Sequence, residues 1–125
     1  MRRSMLLGLV LAGLAVEAIG RANAGSAVVH DHYGHTVYSF GHPRAVEIRR
    51  ALEAARLHGW TEARLIAASD KTGYGAIAVA ARKGGGAVVG VALGKRSATE
   101  ADTLAIQHCL EAGGINPRVR WGWYG

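Results

Sequence analysis

Cysteine and aromatic residues are scarce in this chain. Cys109 is the single cysteine, and aromatic residues make up 6% of the 125 positions. One cysteine cannot form an internal disulfide, so packing has to hold the fold unless two chains pair through this thiol, which we interpret as a buried apolar filler. Nucleic-acid sites combine a clustered basic stripe with stacking aromatics. Because the basic residues are scattered along the chain, we expect no nucleic-acid partner.

Motifs that assemble reactive groups are also missing. The serines lack the glycine elbow of hydrolases, and the glycine turn at residues 84–86 precedes a strand pattern instead of the helix that follows a phosphate loop. His108 and Cys109 are neighbours on a predicted helix, where successive side chains point about 100° apart, so they cannot act as a base and thiol pair. We therefore predict that the protein is not an enzyme and needs no cofactor. An envelope hydrolase is an alternative, and it would need a deep pocket faced by Asp31, Asp70 or Ser69.

The first 24 residues have the three parts of an export signal. Arg2 and Arg3 provide a basic start, residues 5–16 are apolar, and Ala22 and Ala24 form the small-residue cleavage pattern. We predict cleavage after Ala24 and a single domain over residues 25–125 that is periplasmic or secreted. The apolar run is shorter than the roughly 20 residues of a spanning helix, and no cysteine follows it to accept a lipid, so we expect no membrane anchor. The two arginines also resemble a twin-arginine signal, and both export routes remain open.

Two segments have helix patterns with their own end signals. Ser97 and Glu100 form a capping box before a helix over residues 98–112, which Gly113 ends. The predicted inward stripe of this helix is Ala98, Ala101, Ala105, Cys109 and Ala112. An earlier helix begins at Pro43 and ends at Gly59. Its predicted buried residues are Ile48, Ala51, Leu52 and Ala55, and its predicted charged outer face consists of Glu47, Arg49, Arg50, Glu53 and Arg56.

Strand patterns fill the intervals and give the order strand, strand, helix, strand twice. These strands read AVVH, TVYSF, EARLIAA, GAIAVAA, AVVGVALG and RVRWGWY. Gly41 corresponds to Gly94, and Gly59 corresponds to Gly113, at nearly equal separations. The sequence therefore predicts an α+β fold, with a mostly antiparallel sheet, two helices packed on one face, and a weakly duplicated ββαβ unit.

The central hairpin predicts a second apolar sheet face. Its larger residues, such as Ile77, Val89 and Val91, share one parity, which we assign to the side under the helices. Small residues, including Ala78 and Gly90, occupy the other parity. An uncharged face has to be covered by the chain itself or by another copy, so a homodimer is a reasonable hypothesis.

Residues 74–119 resemble a known bacterial family, the domain of unknown function 4189. The similarity consists of the Gly-Ala-Ile-Ala strand at residues 75–78, the glycine turn at residues 84–86, and a helix that carries Ala101, Ala105 and Cys109. The resemblance implies a small exported domain without an assigned activity or catalytic residue. In that family the helix cysteine usually pairs with another cysteine shortly after the Gly-Gly. This chain has Pro117 in that neighbourhood, so the family disulfide cannot form.

Four histidines are concentrated in residues 28–42, together with an aspartate. Imidazole nitrogens and carboxylates are ligands for zinc and copper. Of the four histidines, His30, His32 and His35 can converge at the tip of the predicted hairpin, whereas His42 caps a helix. This pattern predicts, as an alternative function, a periplasmic histidine-dependent zinc- or copper-binding protein. An ordinary polar turn is the other interpretation of these residues. It is supported by the exposed position of the tip, which offers few neighbouring groups to orient the histidine rings around a metal.

The last strand carries the other candidate binding residues, Trp121 and Trp123. They share one face of the strand, where two rings could stack on sugars or on a partner protein. Core packing is the alternative, since the domain has few other large side chains. Our leading hypothesis is an exported, non-enzymatic binding domain of the bacterial cell envelope, whose partner is an envelope protein or a cell-wall component. The predicted domain over residues 25–125 has 12 Lys and Arg and 8 Asp and Glu, a net charge of +4, which is compatible with an anionic partner such as a wall polymer or a lipid headgroup.

Overall fold

A computed structural model describes residues 25–31 and 33–125. The predicted export signal at residues 1–24 and His32 lie outside the described residues. The helices and strands follow in the order β1 (Ser26–His30), β2 (Thr36–Phe40), α1 (Arg44–Leu57), β3 (Arg64–Ser69), β4 (Tyr74–Arg82), β5 (Ala87–Lys95), α2 (Ala98–Glu111) and β6 (Gly114–Tyr124).

The strands form two antiparallel three-stranded sheets, with the orders β2-β1-β3 and β5-β4-β6. The α+β class is therefore confirmed, but two sheets with one helix each replace the single predicted sheet with both helices on one face. Helix α1 packs on the first sheet and α2 on the second. The other faces of the two sheets pack against each other, so the layers run helix, sheet, sheet, helix.

The two ββαβ units share one topology and one register. We call residues 26–69 the first unit and residues 74–124 the second unit. The first strand of each unit is central in its sheet and pairs with the second strand on one side and the third on the other. Val28 of β1 pairs with Tyr38 and Ala67, and the corresponding Ile77 of β4 pairs with Val91 and Trp121. The duplication that the sequence indicated weakly is thus present strand by strand.

The matched glycines lie at equivalent corners of the two units. Gly41 directly follows β2 with φ of 107°, and Gly94 is the next-to-last residue of β5 with φ of 64°. Gly59 and Gly113 follow the helices with φ of 76° and 96°. Side chains with a Cβ rarely adopt this left-handed backbone, which explains why both units keep glycine at both corners.

The face assignment of the central hairpin is wrong. Helix α2 covers the small-residue face, and the larger side chains of Ile77 and Val91 point towards the first sheet. Gly90 explains the arrangement, because a Cβ at this position would lie 2.1 Å from the carbonyl oxygen of Ala105. The apolar face on which we based the homodimer hypothesis is therefore covered by the chain itself.

The predicted helix boundaries agree with the structure to within two residues, but two side chains of α1 are not where the pattern put them. Ser97 Oγ accepts a hydrogen bond of 3.0 Å from the amide of Glu100, as the capping box predicts. In α1, Leu52 is exposed although we predicted it as buried. Glu47 is fully buried although we predicted it on the charged outer face.

Candidate functional site

The histidines of the predicted metal site have different partners. His30 is buried at the end of β1, where its Nδ1 lies 3.2 Å from Thr36 Oγ1 and its Nε2 lies 3.4 Å from the carbonyl oxygen of Ala87. These contacts direct the His30 ring towards the second sheet. The ring is thus part of the contact between the two sheets.

His35 belongs to the turn between β1 and β2 and interacts with Asp31. Its Nδ1 lies 2.6 Å from Asp31 Oδ2, and its ring stacks on Trp60 with a centroid distance of 4.4 Å. Asp31 Oδ1 also accepts 3.0 Å hydrogen bonds from the amides of Tyr33 and His35. Burial raises the pKa of the Asp31 carboxyl, but the hydrogen bonds from His35 and Tyr33 outweigh burial, and the net pKa is lower than usual. Asp31 is thus the acceptor that closes this turn.

Within residues 25–31 and 33–125, no group of three or more His, Cys, Asp or Glu side chains could hold a metal ion. His32, the third member of the predicted set, lies outside the described residues. The structure does not bring His30 and His35 together, because His30 contacts β5 whereas His35 contacts Asp31 and Trp60. Alternation along the strand explains the divergence, since Asp31 follows His30 directly and points the other way.

Trp121 and Trp123 lie in the core between the sheets, as the core-packing alternative predicted, so their assignment as candidate binding residues needs correction. Their exposed fractions are 5% and 9%. Trp123 stacks on Tyr38 with a centroid distance of 4.3 Å and donates a 3.2 Å hydrogen bond to Ser26 Oγ. The physical reason is volume, because the rest of this layer supplies few side chains large enough to fill the space between two sheets.

The residues named for hydrolase or thiol chemistry have structural contacts. Ser69 Oγ accepts a 3.0 Å hydrogen bond from the amide of Lys71, and Asp70 is exposed beside it. Cys109 is free and fully buried, and its thiol donates to the carbonyl oxygen of Val88 at 3.7 Å. Burial raises the pKa of the Cys109 thiol and therefore disfavours the reactive thiolate.

An open cleft of about 570 Å³ lies where the edges of the two sheets meet. It is bounded by β3 from the first sheet and β5 from the second, the outer strands on that side. We call it the intersheet cleft. Its lining includes His30, Arg64, Ile66, Arg82, Val88 and Val89.

The intersheet cleft combines positive charge with an apolar wall. Arg64 begins β3, Arg82 ends β4, and both are exposed. Within the part of the chain that the structure describes, neither guanidinium forms an ion pair with a carboxylate. Ile66 is exposed, whereas Val88 and Val89 are buried neighbours on β5, Val88 in the cluster under α2 and Val89 in the cluster between the sheets. The cleft can therefore attract an anion and contact an apolar group beside it.

The arrangement of aromatic residues explains why a cleft opens on this side. Tyr38 and Phe40 of β2 face Trp123 of β6, and their rings close the space between the sheets on the β2 and β6 side. On the opposite side, β3 and β5 contribute aliphatic and small side chains. The two sheets are thus held together by rings along one side and separated by an opening along the other.

A buried polar cluster in the first unit consists of Ser39, His42 and Glu47. Ser39 Oγ donates to Glu47 Oε1. Glu47 Oε2 accepts a 2.5 Å hydrogen bond from the amide of His42 and lies 3.0 Å from His42 Nδ1. The carboxylate lies between the serine and the histidine, whereas a serine hydrolase needs the histidine between them. The cluster therefore anchors the start of α1 to β2, and it lacks the order of groups that activates a serine.

Sequence reasoning missed Glu47, Arg64 and Arg82 as members of a site. The spacing could have revealed Glu47, because Ala51 and Ala55 follow it at four and eight residues and belong to the buried stripe. No local pattern identifies the two arginines, since their proximity depends on how the two sheets pack.

No family model, no curated protein and no solved structure matches this chain. The resemblance of residues 74–119 to the domain of unknown function 4189 therefore stays a prediction. Neither α1 nor α2, the helices of the described residues, is long and apolar enough to cross a membrane.

Proposed function

We propose that the protein is an exported, non-enzymatic binding domain of the bacterial cell envelope and that the intersheet cleft is its binding site. The observation that carries the proposal is the combination of Arg64 and Arg82 with the apolar surface of Ile66, Val88 and Val89 in one opening. This combination suits a ligand with an anionic end and an apolar chain.

The charge argument rests on the two guanidinium groups. Arginine binds carboxylate and phosphate oxygens through a planar fork of donors, and each charge-assisted hydrogen bond contributes about 1.5 to 3 kcal/mol. Arg64 pairs across the sheet with His30, whose ring also lines the cleft. An anion at this end would therefore meet the donors of Arg64 and Arg82 above a partly polar floor.

The apolar argument rests on the wall of β5 and β3. Val88 and Val89 are at most 9% exposed, so the apolar surface that a ligand can cover belongs mainly to Ile66, which is about two-fifths exposed on β3. An alkyl chain on this surface would remove apolar area from water, which is worth about 25 cal/mol for each Å². The volume of about 570 Å³ lies in the usual range for small-molecule sites.

A binding function agrees with the position of the nucleophilic side chains. Ser39 is fully buried and donates to Glu47, Ser69 accepts from Lys71, and Cys109 lies under α2. Each of these groups is used in packing or in a turn, and none of them lines the intersheet cleft. The groups that do line it suit recognition of charge and apolar surface.

Titration with an alkyl phosphate tests the proposal. Dodecyl phosphate below its micelle concentration should bind the purified protein in calorimetry, and the affinity should fall as salt is added. The double variant Arg64→Ala/Arg82→Ala should bind at least tenfold more weakly. The matched control is Arg49→Ala/Arg50→Ala, which removes the same charge from the exposed face of α1.

A vesicle arm separates a free amphiphile from a membrane lipid. Vesicles of phosphatidylglycerol, with phosphatidylcholine vesicles as reference, test whether the anionic group is recognised in a bilayer. Loss of monomer binding in the Arg64/Arg82 variant supports a free ligand, and loss of vesicle binding supports a lipid headgroup. The proposal is wrong if neither probe binds, or if both double variants bind equally.

The export part of the proposal has its own test. The protein recovered from the periplasm or the medium should begin at Gly25, which intact mass and N-terminal sequencing would show. An uncleaved chain in the cytoplasm would overturn export without affecting the cleft.

A further inference from the structure

A second opening lies in the second unit, near the start of α2 and far along the sheet from Arg82. It is a groove of about 240 Å³, and we call it the tyrosine groove. Its lining includes Tyr74, Ala98, Asp102, Gly122, Trp123 and Tyr124. The proposed function makes no use of these residues.

Two tyrosine rings form the walls of the tyrosine groove. Tyr74 and Tyr124 are direct cross-strand partners on β4 and β6. Their ring centroids are 4.9 Å apart with an interplanar angle of 68°, so one ring meets the other edge to face. Tyr124 is 61% exposed. Rings in this arrangement present two faces that meet at a steep angle, with one hydroxyl on each ring.

The first unit has the same topology but different residues at the positions that line the tyrosine groove, so the ββαβ fold does not itself require these side chains. By the shared register, Gly25 corresponds to Tyr74, and Asp70 corresponds to Tyr124. Ile48 of α1, which packs against the main core, corresponds to Asp102 of α2. At equivalent positions the first unit therefore has an apolar helix side chain and no aromatic residue, whereas the second has a carboxylate and two rings.

The charges beside the tyrosine groove favour a neutral ligand. Asp102 contributes a carboxylate from α2, and Lys95 is the cross-strand partner of Tyr74 on the side opposite Tyr124. One acidic residue in the lining and one basic residue on the neighbouring strand leave no strong preference for a cation or an anion. Tyrosine hydroxyls donate and accept hydrogen bonds, and a carboxylate accepts them.

We propose that the tyrosine groove binds one neutral sugar ring of a glycan. A pyranose has an apolar face of C–H groups that packs on an aromatic ring, and a rim of hydroxyls that can use the Tyr74 and Tyr124 hydroxyls and the Asp102 carboxylate. Gly122 has no side chain on the floor, which leaves room for a ring. The groove is open, so a longer glycan can extend from it into solvent.

Calorimetry and ligand-observed saturation-transfer NMR with neutral trisaccharides test the proposal, with triacetylchitotriose and maltotriose as probes. At least one of them should bind the purified protein, and Tyr124→Ala should weaken binding at least tenfold. The matched control is Tyr33→Ala, which removes a similarly exposed tyrosine, 66% exposed, from the β1–β2 turn. Asp102→Asn should weaken binding less than Tyr124→Ala, because the amide keeps one acceptor.

Three outcomes would overturn the proposal. One is that neither trisaccharide binds the wild-type protein. Another is that Tyr124→Ala and Tyr33→Ala reduce binding equally. The last is that tetramethylammonium binds and displaces the sugar, because the groove would then be a cation site. Loss of sugar binding in the Arg64→Ala/Arg82→Ala variant would place the sugar in the intersheet cleft and contradict the assignment as well.

Discussion

The two ββαβ units reach the same topology with different packing chemistry. The helix of the first unit buries Glu47, Ala51 and Ala55, and at corresponding positions the helix of the second unit buries Ala101, Ala105 and Cys109. The carboxylate needs Ser39 and His42 as partners, whereas the alanine stripe needs only close contact. The comparison teaches that the topology tolerates either a polar anchor or an apolar one between helix and sheet.

The contact between the sheets is complementary because the two units differ. The first unit places Tyr38 and Phe40 on its second strand, where the second unit has Val91 and Leu93. The second unit places its tryptophans on the third strand, where the first unit has Ala67 and Ser69. Large rings from the two units thus meet each other on one side of the intersheet layer only. Two identical units would either crowd this layer or leave voids in it.

The largest loss of stability should come from adding a side chain to the second unit beneath α2, where the first unit has one beneath α1. Gly90 corresponds to Val37, and a Cβ at Gly90 would lie 2.1 Å from Ala105 O and 2.2 Å from Cys109 N. Backbone atoms of α2 cannot move aside locally, so Gly90→Ala should cost at least about 3 kcal/mol of unfolding free energy. Denaturant unfolding measures this cost. A loss of less than 1 kcal/mol would show that α2 is not seated as closely as described.

The next effect concerns the polar anchor of the first unit. Glu47→Ala should cost about 3 kcal/mol, because it leaves the Ser39 hydroxyl and the His42 amide without their buried acceptor. In the second unit, Ala92 corresponds to Ser39 and Ala101 corresponds to Glu47. The double variant Ser39→Ala/Glu47→Ala therefore gives the first unit the same pair of alanines. The double variant should therefore be more stable than the sum of the single losses predicts, which a double-mutant cycle measures. Strict additivity would contradict a coupled cluster.

A smaller, pH-dependent effect distinguishes the turns of the two units. Asp31 holds the β1–β2 turn by its carboxylate, whereas the β4–β5 turn relies on Gly84, Gly85 and Gly86 at positive φ. Asp31→Asn should cost about 1 to 2 kcal/mol near neutral pH. Because the pKa of Asp31 is lowered in the folded state, its contribution is complete above the unfolded pKa of about 3.9 and is lost as the pH falls through the folded value.

The stability of wild type and Asp31→Asn should therefore converge below about pH 4. Unfolding measured from pH 7 downwards checks this convergence. Asp70→Asn, at an exposed turn aspartate, is the control and should not reproduce it. A constant difference between wild type and Asp31→Asn at all pH values would show that the carboxylate charge is not what holds the turn.

The smallest effect should come from Cys109→Ala, which gives the second helix the alanine that Ala55 provides in the first. Loss of one buried sulfur should cost about 1 kcal/mol. Because burial raises the pKa of this thiol and hides it, Ellman's reagent should label it slowly in the native wild type and quickly in guanidinium chloride. Fast labelling of the native protein would contradict the close seating of α2.

Local signals in the sequence predicted the elements well, for identifiable reasons. Ser97 with Glu100 and the glycines at 59 and 113 are short-range devices, and the structure confirms the helix ends that they indicate. The alternating strands were also recognisable, although β6 begins at Gly114, earlier than its pattern indicated. Short-range patterns succeed where the deciding interaction joins residues a few positions apart.

Side-chain placement was less predictable. We predicted Glu47 as exposed because glutamate is usually exposed. In the structure it is buried, because Ser39 and His42 donate hydrogen bonds to its carboxylate. The two tryptophans were candidates for a binding surface, but the first sheet covers them. The intersheet cleft is another such feature, since Arg64 and Arg82 come from different units.

By itself the amino-acid sequence determined the order of the elements, the helix ends and the repeated glycine corners, because propensity, capping and backbone freedom act within a few residues. Only the tertiary structure decided which sheet face each helix covers, that the tryptophans lie inside, and where the openings are. Those features depend on volumes and charges that meet across distant parts of the chain. The presence or absence of a single Cβ, as at Gly90, is enough to change which surfaces come into contact.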